Sequence, residues 1–257
     1  MTSWSSGPSH SVPERPPERL PDGLTLVQIE FLPTDDDQIP DAVRDRVLAV
    51  LATAHDDVVT HLPALSPRYL VTVRYDERTN VHTEEMGRLV TPYWLDWVVH
   101  PRGVRSPLEI VDEHLRASFV HETHHAVRAQ LISATKPHPV GPENAVERSL
   151  LVPARTRRMV QIAVEEGLAS RFEHDLCPGR PRLLAAPGEP VEEWTDELIA
   201  LGDGDYFEWF FDHPSGRRHV GYKVGAHLAD RAIERTGRSA ADLVAVEVDD
   251  LCRLAGY

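Results

Sequence analysis

Residues 106–125, SPLEIVDEHLRASFVHETHH, contain both the clearest helix start and the clearest chemical motif of the chain. Ser106 is a typical N-cap residue, Pro107 suits the first helical position, and Glu109 completes a capping box with Ser106. No helix-breaking residue follows before about Leu131, so the sequence predicts one long helix that carries the HETHH segment in its second half.

Two histidines of that segment, His121 and His125, are four residues apart. On a helix of 3.6 residues per turn their side chains project from one face about 6 Å apart, a spacing that suits two nitrogen ligands of one Zn²⁺. Glu122 is positioned to act on a water molecule without binding the metal, so the HExxH pattern indicates metal-assisted hydrolysis. With 14 histidines in the chain, such a pattern arises by chance in roughly one sequence in fifteen, and a helix with several exposed histidines is the alternative.

A catalytic zinc site usually needs a third protein ligand, and Glu166 is the candidate. It lies in a predicted helix over 154–176 among apolar residues, where a buried carboxylate is costly unless it is paired or bound to a metal. The neighbouring Gly167 costs a helix about 1 kcal/mol relative to Ala, and its explanation would be close approach of another backbone, as when this helix packs against the metal helix. The alternative is that Glu165 and Glu166 both face solvent.

Composition excludes several classes of function. The 257 residues carry a formal net charge of −14 without a basic cluster, which makes nucleic acid and anionic membranes unsuitable partners. No run of about 18 apolar residues predicts a membrane span. Cys177 and Cys252 form no C-x-x-C pair, which argues against a disulfide framework and thiolate zinc ligands and fits a reducing cytoplasm. The sequence gives no indication of the oligomeric state.

The hydrophobic pattern predicts an α+β protein. Residues 1–22 are rich in Pro and Ser and are expected to form a disordered tail. Residues 23–257 are expected to form one domain, in which 23–132 contain a small mixed sheet, a helix and the metal helix. Residues 133–257 then form a mainly helical half with the third ligand.

The individual elements follow from the spacing of apolar residues and from the Pro and Gly residues that interrupt it. Strands are predicted over 24–31, 69–75 and 89–100, the last with Pro92 marking an edge or a bulge near its beginning. An apolar stripe predicts a helix over 41–61. Further helices are predicted over 191–201 and 221–235, with one or two short helices within 239–254 and a Pro/Gly-rich linker over 177–190.

Several of these motifs together resemble a known family. HETHHAVR at 121–128, followed by EEGLASRFE at 165–173, resembles the gluzincin pattern, in which HExxH supplies two ligands and the Glu of an E-G-x-A helix supplies the third. More narrowly, the chain is similar to a bacterial family of predicted zinc-dependent proteases. That family likewise has a strand before the metal helix (here 86–101), a Trp-containing segment (here Trp194 with 206–211) and a GY-x-x-G helix (here 221–225).

The resemblance implies a zincin-like catalytic domain, a Zn²⁺ cofactor and a peptide or amide substrate. Its ligands would be His121, His125 and Glu166, and Glu122 would be the general base. Tyr222, from a later helix, would donate a hydrogen bond to the developing oxyanion; a Tyr that merely packs at a helix N-terminus is the alternative.

Two further points concern the substrate cleft and the groups around the ligands. The segment 89–99 could bind an extended peptide as an edge strand, whereas Trp94 and Trp97 within it are expected to belong to the core. Thermolysin-like gluzincins have an Asp four residues after the ligand Glu, but this chain has Ser170 there. The groups that orient the two histidines are therefore not identified by sequence.

Two other classes of function use the same residues. Two histidines and one carboxylate also form the iron site of non-haem Fe(II) oxygenases, and a non-catalytic regulatory module could hold a metal in the same way. Glu122 favours the hydrolase, because a base beside the first ligand has a role in hydrolysis and none in an oxygenase.

Overall fold

The computed structural model describes residues 28–33, 38–135 and 158–257. Four features predicted from sequence therefore lie wholly or partly outside the described residues. They are the tail over 1–22, the beginning of the strand over 24–31, the Pro-rich loop that follows the metal helix, and the first residues of the helix over 154–176.

The N-terminal half contains a small mixed sheet, as predicted, but it has four strands where the sequence assigned three. Its strands are β1 (Gln28–Phe31), β2 (Leu70–Tyr75), β3 (Glu85–Thr91) and β4 (Trp94–Val99), in the order β1-β2-β4-β3. The β1–β2 and β2–β4 pairs are parallel, whereas β3 and β4 are antiparallel. The α+β class and the mixed sheet are thereby confirmed.

The prediction of one strand over 89–100 is wrong, because this region contains the end of β3, a turn and β4, which form a hairpin. Pro92 and Tyr93 form a two-residue turn between β3 and β4, and the Tyr93 N–H donates to the Thr91 hydroxyl at 3.2 Å. Proline has no N–H for a sheet ladder and presets its φ angle for a turn. In the described sheet β3 is therefore one edge strand, with β1 at the other edge, and β4 is an inner strand.

Helix α1 (Asp41–His61) has the predicted apolar stripe on its buried face. The stripe packs against the metal helix and the turn before it. Its buried members are Val43, Val47, Leu51, Ala54 and Val58.

The capping box is present where the sequence predicts it. The Ser106 hydroxyl accepts from the Glu109 N–H at 3.3 Å, and the Ser106 N–H donates to the Glu109 carboxylate at 2.7 Å. The helix is less regular than expected. A first turn, α2 (Pro107–Ile110), leads into a π-helical turn (Val111–Leu115) and then into α3 (Arg116–Thr135), which carries HETHH.

The C-terminal half is mainly helical, as predicted. Helix α4 (Met159–Leu176) packs most extensively against α7 (Val220–Thr236) and also against α3. The remaining helices of its described residues are α5 (Val191–Leu201), α6 (Tyr206–Phe210) and α8 (Val248–Ala255).

Gly167 marks a close approach between two backbones, but its partner differs from the expected one. A Cβ added at Gly167 would lie 2.0 Å from the carbonyl oxygen of Gly225 on α7. A Cβ at Gly225 would in turn lie 2.0 Å from the Ala163 oxygen on α4. The glycine therefore allows α4 to cross α7, and not the metal helix, at contact distance.

Buried apolar side chains from the sheet, α1 and the C-terminal helices form one continuous core. Trp97 on β4 belongs to it and is 0% exposed, in line with the expected core role, whereas Trp94 is half-buried. Among the described residues, no helix is both long and apolar enough to cross a membrane.

Candidate metal centre

The three residues expected to be metal ligands come together between α3 and α4. The Nε2 atoms of His121 and His125 lie 3.1 Å apart. The Glu166 carboxylate lies 3.4 Å from His121 Nε2 through one oxygen and 3.6 Å from His125 Nε2 through the other. Glu166 therefore does not simply face solvent, which was the alternative, because its carboxylate lies beside both histidines.

These separations suit a single small cation. Two ligand atoms about 2.0–2.1 Å from a tetrahedral Zn²⁺ lie about 3.3 Å from each other, close to the three observed distances. The donor set of two imidazoles and one carboxylate is also one that zinc accepts in catalytic sites. The residues present therefore fit zinc in both geometry and donor chemistry.

The electrostatics of the cluster favour a positive charge. Burial alone lowers the pKa of His121, but the carboxylates of Glu166 and Glu173 outweigh it and place that pKa well above the ordinary value. The two carboxylates thus stabilise a cation between α3 and α4, whether that cation is a proton or a metal.

Glu173 supplies the partner of His121 that the sequence did not identify. Its carboxylate lies 3.2 Å from His121 Nδ1, on the side of the ring opposite the Nε2 atom that faces His125 and Glu166. An N–H at Nδ1 that donates to Glu173 leaves the Nε2 lone pair free for a metal. Seven residues bring a helix back to nearly the same face, so the spacing from Glu166 to Glu173 was the signal available in the sequence.

Glu122 lies in a cavity of about 510 Å³ that His121 and Glu166 also line. Its side chain packs against the edge strand, because a Cβ added at Gly87 of β3 would lie 3.1 Å from Glu122 Cγ. The absence of a side chain at Gly87 therefore leaves the space that Glu122 occupies.

Tyr222 lines the same cavity from the first turn of α7. Burial, reinforced by the negative charge of Glu166, raises its pKa far above the ordinary value. The phenol therefore keeps its proton and can donate a hydrogen bond into the cavity. Its oxygen lies 3.3 Å from the hydroxyl of Tyr206 on α6, a neighbour that sequence reasoning did not assign.

Another carboxyl group that the sequence did not single out lies at the start of the edge strand. Glu85 is buried and lines the cavity. One of its oxygens accepts from Trp97 Nε1 and from the Ser118 hydroxyl, both at 2.8 Å. Burial raises the pKa of this carboxyl despite those two donors.

The linker over 177–190 also contributes to the cavity. Arg180 and Arg182 line it, and Arg180 Nε lies 3.8 Å from the Glu173 carboxylate. Charged residues in a Pro/Gly-rich linker carry no periodic pattern, so nothing in the sequence associated them with the site.

No family model, curated protein or solved structure matches this chain. The resemblance to gluzincins therefore rests on the motifs themselves and on the distances between the residues that they contain.

His124, the remaining histidine of HETHH, is a core residue. Its side chain is 0% exposed, lies 3.3 Å from the Ala240 carbonyl oxygen through Nε2, and stacks at a tilt against Phe172. Burial lowers its pKa well below the ordinary value, so the neutral form is the stable one. HETHH thus places His121 and His125 beside Glu166 and directs His124 into the core.

Proposed function

We propose that this protein is a zinc-dependent hydrolase that acts on peptide or amide bonds. The observation that carries the proposal is the convergence of His121, His125 and Glu166 at separations close to those of zinc ligands. The presence of Glu122 in the same cavity supports hydrolysis in particular. The proposal includes the zincin-like architecture, which is supported by the antiparallel edge strand β3 beside the metal helix.

Each residue has a defined task in this reaction. Zn²⁺, when bound, supplies a Lewis acid that polarises the scissile carbonyl and makes water more acidic. Glu122 accepts a proton from the attacking water and delivers it to the leaving nitrogen. Glu173 holds the His121 ring so that Nε2 points toward Glu166.

Tyr222 is suited to stabilise the charge that develops on the carbonyl oxygen. Its raised pKa keeps the hydroxyl a hydrogen-bond donor, and a fixed donor aimed at developing negative charge is worth most in a cavity with little water. Its position beside Glu166 would place it near the substrate carbonyl.

The edge strand favours an extended peptide as substrate. Among the described residues β3 has β4 on one side only, so its other edge can pair with an added strand through backbone hydrogen bonds. Because Gly87 of β3 lies against Glu122, a peptide paired with this strand would pass beside the general base.

The decisive experiment separates metal binding from catalysis. Glu122→Gln keeps the size of the side chain but removes the base, so we expect hydrolysis of a broad peptide and amide panel to fall by about a hundredfold or more, with zinc content unchanged. Glu165→Gln is the matched control, because Glu165 lies next to Glu166 on α4 and its carboxylate accepts a hydrogen bond from Gln161 of that helix. It should retain activity.

Three results would contradict the proposal. One is full activity in Glu122→Gln, and another is the absence of hydrolysis by the wild-type protein over the whole panel. The third is stoichiometric iron in protein purified anaerobically without chelators, together with oxygen-dependent turnover, which would identify an oxygenase.

A further inference from the structure

Two cavity-lining residues outside the metal cluster have buried polar atoms without a hydrogen-bond partner. They are His174 on α4, through Nδ1, and Arg182 in the linker, through Nε and Nη2. Within the described parts of the chain, no other residue combines these two properties. An unmet buried polar atom is costly. The Arg182 atoms are always donors, and His174 Nδ1 is a donor in one tautomer of the ring, so these atoms indicate that a ligand with acceptor oxygens belongs beside them.

Arg182 is held through one nitrogen of its guanidinium group, and the two nitrogens on the other edge have no hydrogen-bond partner among the described residues. Its side chain is 7% exposed, and Nη1 donates to both oxygens of Asp230 on α7 at 3.1 and 3.0 Å. Nε and Nη2 are the two nitrogens of the opposite edge, and their parallel N–H bonds match the two oxygens of a carboxylate. Arg182 forms part of the cavity wall, so these two unpaired donors belong to a residue that a ligand in the cavity would contact.

The position of this pair relative to the metal ligands follows from the two helices. His174 is eight residues beyond Glu166 on α4, which corresponds to about 12 Å along the helix axis. Asp230 is eight residues beyond Tyr222 on α7, and Arg171 of α4 also binds Asp230 at 3.2 Å. The cavity thus runs along both helices from the metal ligands to Arg182.

A span of this length fits a short piece of peptide. An extended chain advances about 3.3 Å per residue, so a carboxylate near Arg182 would be about two to four residues away from a carbonyl near Glu166. Four glutamates already line the cavity: Glu85, Glu122, Glu166 and Glu173. They disfavour a dianionic phosphate more than a singly charged carboxylate.

We propose that Arg182 and His174 form a subsite that binds a carboxylate of the substrate, a few residues from the bond that is cleaved. This inference rests on the proposed hydrolase for the position of that bond, but carboxylate binding itself does not. The carboxylate is either the free C-terminus of a peptide or an Asp or Glu side chain.

The test measures binding rather than turnover. The full-length Glu122→Gln protein is titrated by calorimetry with acetyl-tetra-alanine carrying a free C-terminus and with its C-terminal amide, both with added Zn²⁺ and after chelation. Amidated peptides with one Ala replaced in turn by Glu or Gln separate a side-chain carboxylate from a terminal one. We expect one carboxylate series to bind about tenfold tighter or more than its neutral counterpart, with or without zinc.

Variants assign the preference to the subsite. Arg182→Lys keeps a positive charge for Asp230 but lacks the two-donor edge, so the carboxylate preference should fall to less than about threefold. His174→Leu should reduce it partially. Arg253→Gln, on the exposed face of α8 where Arg253 pairs with Asp250, is the control and should keep the full preference.

The outcomes are distinguishable from those of the hydrolase test. A preference that appears only with zinc and survives Arg182→Lys would overturn the inference, because the metal would then bind the carboxylate. Equal binding of charged and neutral peptides would overturn it as well. A zinc-independent preference that depends on Arg182, in a protein without hydrolytic activity, would uphold the subsite and reject the hydrolase.

Discussion

The two sides of the cavity are built on different kinds of contact. On the strand side, Gly87 of β3 faces the flexible side chain of Glu122, and a Cβ added at Gly87 would lie 3.1 Å from Glu122 Cγ. On the helix side, Gly167 of α4 faces the backbone of Gly225, and an added Cβ would lie 2.0 Å from its oxygen. A side chain can yield by a rotation, whereas a helix backbone cannot. Glu166, the proposed ligand, therefore lies on a helix held by a rigid crossing, whereas Glu122, the proposed base, retains some freedom.

This difference matches the needs of the proposed chemistry. A metal ligand must be held at a fixed distance, whereas a general base must move between a proton donor and a leaving group. Substitutions on each side can test whether the division is real.

The largest effect is expected for Gly167→Ala on the helix side. The new methyl group overlaps the backbone of α7, so α4 and α7 must separate, at a cost of about 4 kcal/mol or more. Thermal unfolding should show a midpoint lower by about 8–16 °C, with zinc binding weakened as Glu166 moves away. A midpoint equal to that of the wild type would show that the crossing is not rigid.

Tyr222→Phe comes next and leaves the crossing intact. Loss of the hydroxyl should reduce kcat by about a hundredfold, or about 2.7 kcal/mol, because the donor acts on charge that develops in the transition state. KM should change little. Tyr206→Phe, which removes only the neighbouring hydroxyl at 3.3 Å, is the comparison, and equal losses in the two variants would deny Tyr222 a distinct role.

Glu173→Gln should weaken zinc binding by about tenfold to a hundredfold, because the charged partner of His121 Nδ1 is lost. Competition with a chromogenic chelator measures this change. Ser170→Ala, at the position where thermolysin-like enzymes have Asp, is the matched variant on the same helix and should bind zinc as the wild type does. The reverse ranking would mean that Ser170 rather than Glu173 supports the site.

The smallest effect is expected for Gly87→Ala on the strand side. Glu122 needs to shift by only a few tenths of an ångström, so stability should change by less than about 1 kcal/mol, zinc affinity should stay the same, and kcat should fall a few-fold. Comparison with Gly167→Ala tests the contrast directly, since the same methyl group is added on each side. Similar destabilisation by both substitutions would remove the distinction.

The features predicted correctly from sequence depend on local chemistry. The capping box at Ser106 and the spacing of His121 and His125 are properties of one helix, and both hold in the structure. Glu166 could be singled out because a carboxylate among apolar residues calls for a partner.

The features that were missed depend on packing between distant segments. Pro92 was assigned to an edge or a bulge within one strand and not to a turn between two strands. The first of those strands, β3, begins with Glu85-Met-Gly-Arg88 and has few strand-forming residues there. The need of Gly167 for a close neighbour was evident, but the choice of α7 over α3 is a property of the whole helical half. Arg182 enters the cavity only because the linker folds back toward Asp230.

The arrangement of ligands on two helices has a consequence for folding. Glu166 comes about forty residues after His125, on a separate helix, so an ion bound by both would act as a cross-link across that loop. A permanent cross-link that closes a loop of this length lowers the entropy of the unfolded chain and so raises the free energy of unfolding by about 4 kcal/mol. Chelation would therefore loosen the docking of α4 on α3 before the sheet is affected, and proteolysis of the chelated protein should begin in the helical half.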